Sequence, residues 1–65
     1  MTTAAALLNE MASFVNVDPR LIRNAERSGI NEENSTEFRQ IVEDWSEGVY
    51  DEDPDYVVSE IEFLL

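Results

Sequence analysis

The sequence predicts an all-α fold, a small bundle of three to four short helices, from three observations. Apolar residues recur at helical spacing in four separate segments, Asp-Pro occurs twice as a helix start, and the only two glycines, Gly29 and Gly48, each fall just behind an apolar stripe. With 65 residues and no linker-like stretch, the chain reads as a single compact acidic helical domain, 1–65. A domain of that size buries only about 60% of the surface its unfolded chain exposes, so its stability is expected to be a few kcal/mol.

The first helix is expected over about 3–16, with Thr2 or Thr3 as its cap, because apolar residues stand at 4, 7, 8, 11 and 15. Asn16-Val17 then breaks the pattern. Asp18-Pro19 supplies a capping carboxylate and a first-turn proline for a second helix, which carries Leu21, Ile22 and Ala25 inward and stops at Gly29. Residues 31–35 form a polar turn, and Ser35 caps a third helix with the stripe Phe38, Ile41, Val42, Trp45 and Val49, ended by Gly48. Asp53-Pro54 repeats the start signal for a fourth helix facing inward through Val57, Val58, Ile61, Leu64 and Leu65. A strand competes for this last segment, since Val57, Ser59, Ile61, Phe63 and Leu65 share one face at period two. The helix is favoured because a lone strand has no partner in a chain this helical.

Charge divides the chain. Residues 1–31 are neutral overall, and residues 32–65 carry the whole net charge of −11 with Arg39 as their one base. Phosphate would be repelled, so neither nucleic acid nor an anionic membrane suits this half as a direct ligand, whereas a basic protein surface does. Arg20, Arg23 and Arg27 fall on one side of the second helix at i, i+3 and i+7. They are expected to pair with the acidic half rather than to bind phosphate in the manner of a helix-turn-helix.

Most chemistry is excluded by composition. The chain has no His, Cys or Lys, which leaves a Ser or Thr nucleophile without an imidazole, thiolate or amine to activate it. A carboxylate pair needs a dry cleft to hold one proton, and so small a chain has little interior for one. Zinc lacks nitrogen and sulfur ligands, and no phosphate-binding loop is available. The expectation is a protein that is not an enzyme and uses no cofactor. Asp51-x-Asp53-x-Asp55 with Ser59 and Glu62 matches the ligand spacing of an EF-hand calcium loop, but Tyr56 stands where that loop needs glycine and Pro54 at the fourth place. The segment is therefore taken as an acidic turn and helix cap, and no metal is assigned. No apolar run approaches the roughly 18 residues that span a bilayer, and the N-terminus lacks a basic signal-peptide region, so a cytoplasmic setting is expected, that of the host cell if the source is viral.

The candidate partner-binding residues follow from the acids and the aromatics beside them. Glu33, Glu37, Asp44 and Glu47, with Gln40 between them, lie opposite the Phe38/Trp45 stripe, and Asp51, Glu52, Asp53, Asp55 and Glu62 extend the line. Carboxylates then recur about every turn or two, a separation of the same order as that of charges along a nucleic-acid backbone. Tyr50, Tyr56 and Phe63 add apolar anchors of the kind common at binding surfaces. The functional expectation is a non-enzymatic protein-binding module that mimics DNA and inhibits by occupying the basic, nucleic-acid-binding surface of a host protein, as small acidic viral and phage proteins do against defence or DNA-processing enzymes. Salt-loving proteins are also acidic, but adaptation to salt would not leave residues 1–31 neutral. The alternative is a small structural or regulatory subunit that forms homo-oligomers through Ile61, Phe63, Leu64 and Leu65, with the acids serving solubility.

Overall fold

The computed structural model describes residues 1–13, 15–48 and 53–65. These residues form four helices, α1 (Ala4–Met11), α2 (Pro19–Ser28), α3 (Thr36–Ser46) and α4 (Pro54–Leu64). The last segment is thus a helix, not a strand. The radius of gyration is 10.5 Å, against about 11 Å expected of a compact chain of this length.

Each helix begins where a short polar side chain can satisfy an orphan backbone donor. Thr3 accepts from the Ala6 N–H at 3.0 Å, Asp18 from Arg20 at 2.8 Å, Ser35 from Phe38 at 3.2 Å and Asp53 from Tyr56 at 3.3 Å. Gly29 ends α2 at φ 68°, a left-handed conformation in which a Cβ is strained, and Gly48 follows α3 at φ 79°.

α1 lies between α2 and α4, and α3 packs on α4. In α1 the side chains of Ala4, Ala5, Leu7, Leu8 and Met11 are all buried, so this helix meets its neighbours on most of its circumference. Phe38 from α3, Leu21 and Ala25 from α2, and Val57 and Ile61 from α4 join it in one continuous core that, among the described residues, contains no buried polar or charged group. Val42, Trp45, Val58 and Leu64 pack at its edge. The expected inner stripes are recovered with two exceptions. Leu65, placed with the inner face, is 39% exposed, and Val49 lies outside the described residues, as do Phe14, Tyr50, Asp51 and Glu52.

α1 is shorter than its apolar pattern predicts. It stops at Met11 instead of near 16. The Ser13 hydroxyl donates to the Glu10 carbonyl at 2.7 Å, competing with the helix for that acceptor, and the chain turns so that Val17 enters the core just ahead of the Asp18 cap. A continued helix would carry Val17 away from the core.

The turn between α2 and α3 is fastened to the N-terminus. Ala4 N–H donates to the Ile30 carbonyl at 2.9 Å and Glu32 N–H to the Thr2 carbonyl at 3.1 Å, while Thr2 N–H donates to the Glu32 carboxylate at 2.7 Å. Within the turn, Asn31 Oδ1 accepts from the backbone of Glu33 and Asn34, and Asn34 Oδ1 accepts from the Asn31 N–H. Asn34 Nδ2 also donates to the Gly29 carbonyl at 2.9 Å. The side chains of Asn31 and Asn34 thus complete hydrogen bonds that an irregular backbone would otherwise leave open.

Two outcomes test this packing. Phe38→Ala removes the largest fully buried side chain among the described residues, at a cost of about 3–5 kcal/mol, and is expected to leave the chain largely unfolded at 25 °C by circular dichroism. Asp18 is held below its usual carboxylate range by hydrogen bonds from the Arg20 backbone and side chain. A depressed folded-state pKa stabilises above the unfolded value of 3.8 and loses that contribution as the pH falls through the folded value. Asp18→Asn keeps a capping oxygen without the charge, so its melting temperature should lie below that of the wild type at pH 7 and converge with it in acid.

Candidate functional site

The acidic residues of the second half start on two helices that pack together through their apolar stripes, which turns their polar sides outward. On α3, Glu37 and Asp44 are seven residues apart and so nearly in line, and Gln40 and Glu47 form a second line about 60° round. Glu37 and Glu47 are exposed, while Asp44 is half-buried and accepts a 3.0 Å hydrogen bond from Gln40 Nε2. Glu33 is not on this helix, being part of the turn before it. On α4, Asp55 and Glu62 are likewise in line and exposed.

The expected single ridge therefore divides into a row on each helix, with Tyr50, Asp51 and Glu52 outside the described residues. Two other acids have structural duties. Asp53 caps α4, and Glu32 holds the Thr2 backbone.

The aromatic residues are better defined than the charge pattern alone suggests. Phe63 is 90% exposed and Tyr56 54% exposed. They lie seven residues apart along α4, hence on one line about 10 Å long. Helix geometry places Glu60 on one flank of that line, and Ser59 with Asp55 and Glu62 on the other. The opposite side of the same helix carries the buried Val57 and Ile61. α4 thus carries a buried apolar line on one side and, on the other, the exposed ring of Phe63 with the partly exposed ring of Tyr56.

The arginines do not neutralise these rows. The expected pairing of Arg20, Arg23 and Arg27 with the acidic half is replaced by a local contact: Arg20 Nη2 lies 3.1 Å from Asp18 Oδ2, and this is the only ion pair among the described residues. The physical reason is position, because Asp18 caps the helix that carries Arg20 and needs no tertiary contact to reach it. Arg27 and Glu62 line one open cleft of about 400 Å³ between the ends of α2 and α4, together with Leu21, Asn24, Ser28 and Leu65, yet no ion pair closes it.

The helix dipoles are opposed as well. Neither α3 nor α4 has a base in its last turn, where a cation would be favourable, and Glu47 and Glu62 stand there instead.

The calcium-loop alternative is overturned by the start of α4. A binding loop must wrap its ligands around one ion, whereas residues 54–62 are continuous helix. Asp55 and Glu62 are consequently separated by about 10 Å of rise and cannot share an ion. No group of three or more metal-ligating side chains occurs among the described residues. No helix among them is long and apolar enough to cross a membrane. No family model, no curated protein and no solved structure matches the chain.

Uncompensated carboxylates should make stability rise with ionic strength. Raising salt from about 0.01 M to about 1 M shortens the Debye length from about 30 Å to about 3 Å. Each kcal/mol of repulsion removed should raise the melting temperature by about 4–8 °C in a domain of this size. A melting temperature that falls with salt would mean that attractive pairs dominate.

Proposed function

We propose that the chain is a non-enzymatic protein-binding module whose acidic second half docks on a basic, nucleic-acid-binding surface of another protein and blocks it. One observation carries the reading: Glu37, Glu47, Asp55 and Glu62 are exposed and form no ion pair among the described residues, while the same half exposes Phe63 almost completely. A face that only kept the protein soluble would mix signs, because uncompensated charge destabilises the compact state. It would also have no use for an aromatic ring in water.

Glu37, Asp44, Glu47, Asp53, Asp55 and Glu62, joined by Asp51 and Glu52, supply the charge that steers the partner in and matches its Arg and Lys side chains. Tyr50, Tyr56 and Phe63 supply the apolar contacts that hold it. The target's own ligand would be a nucleic acid, and this protein would bind none directly. An inhibitor of a host DNA-processing or defence enzyme, made by a virus or phage and acting in the host cytoplasm, fits this combination of size and charge.

The exposure of Phe63 and Leu65 also favours a second reading, a structural subunit that self-associates through α4. Charge reversal separates the two. Asp55→Lys combined with Glu62→Lys touches no cap and no core residue. The double variant should lose capture of a basic partner from lysate by tenfold or more, and duplex DNA should displace the wild-type protein from that partner. Under the second reading the same variant would sediment as a larger species than the wild type. Capture of proteins that bind no nucleic acid, or capture unaffected by duplex DNA, would overturn the blocking function.

A further inference from the structure

We infer that the outer line of α4 is a docking site for a cationic amphipathic helix, an occupant more specific than a basic surface in general. The inference deepens the proposed function and rests on it only for the sign of the partner's charge.

Phe63 and Tyr56 form an apolar line about 10 Å long, the repeat of two helical turns, so apolar residues at i, i+3 or i+4, and i+7 of a second helix can meet it along its length. Phosphate mimicry has no need of such a line. The exposed carboxylates Asp55 and Glu62 flank it, which favours lysine or arginine beside the apolar residues of the incoming helix. The same flanks disfavour a second copy of this chain. Two α4 helices meeting along this line would bring their own acid rows together, in molecules that each carry −11. The bases of the protein are elsewhere, three on α2 and Arg39 on α3.

The cleft between α2 and α4 is a separate feature that puts Arg27 beside Glu62, so its charges oppose each other and select no sign of ligand.

The probe is a synthetic 18-residue helix of leucine and lysine with its leucines at i, i+3, i+4 and i+7, set against an all-lysine peptide of equal charge. The full chain should bind the amphipathic peptide, shift the backbone amide resonances of residues 55–64 more than those of 20–28, and retain binding at about 0.5 M salt, where the Debye length is below 8 Å. Phe63→Ala, a change at an exposed position that leaves the helical circular dichroism intact, should weaken that binding by tenfold or more, and Tyr56→Ser should weaken it in the same direction. The all-lysine peptide should bind both proteins alike and be released by the same salt.

Equal affinity of wild type and Phe63→Ala for the amphipathic peptide would overturn the inference. So would a wild-type dimer in sedimentation that Phe63→Ala dissociates, since the occupant would then be a second copy. If the Phe63-dependent binding holds and duplex DNA fails to compete with the lysate partner, the docking site stands and the blocking function falls.

Discussion

α1 is buried on so much of its circumference that α2 and α4 both pack directly against it, and α3 completes the core from its place on α4. With Glu10 its only charged side chain, α1 gives the core Leu7, Leu8 and Met11 while its alanines let neighbours approach closely. A chain of this length has too little apolar surface for two cores, so each remaining helix presents a single stripe to this one. The charges of α2, α3 and α4 are then forced outward together. The acidic exterior is thus a consequence of where the core lies as well as of composition: among the described residues no carboxylate is buried, and the core they form contains no polar group that would require a partner.

Much of this was legible in the sequence because the governing effects are local. Asp18-Pro19 and Asp53-Pro54 place an acceptor beside the first free N–H groups and fix the first φ, and both start helices where expected. Ser35 and Gly48 bound α3 for similarly local reasons. The end of α1 was not legible, because Val15 continues the helical spacing while Ser13 and the need to bury Val17 act against it. The fastening of residues 30–32 to Thr2 and Ala4 was equally hidden, since it joins segments about thirty positions apart and uses backbone groups that every residue possesses.

The candidate site was legible in composition and less so in arrangement. The inner face expected of the fourth helix, Val57, Val58, Ile61, Leu64 and Leu65, leaves out Tyr56 and Phe63, and both are exposed. Charge complementarity between the two halves suggested long-range pairing for the arginines, and the pairing failed. A carboxylate two residues from Arg20 holds it without ordering any other segment, so the local contact costs less entropy than a tertiary one. Glu32 shows the converse: within an acidic run, one carboxylate is removed from the charge pattern by a backbone bond that no spacing rule announces.

The placement of charge against the dipoles of α3 and α4 bears on why the acids are there. A carboxylate near a helix C-terminus forgoes about 0.3–1 kcal/mol of the stabilisation that a cation would bring. For a domain worth a few kcal/mol that is a substantial fraction, and the same net charge could have been carried at helix starts, as Glu37 and Asp55 are. Glu47 and Glu62 instead stand at the far ends, so that each helix carries acids from its first turn to its last. Solubility does not require that distribution. The proposed partner, lying along the helices, would use it, because its cations would then find a counter-charge near each end of both helices, and the interaction energy gained on docking would offset what the free protein forgoes.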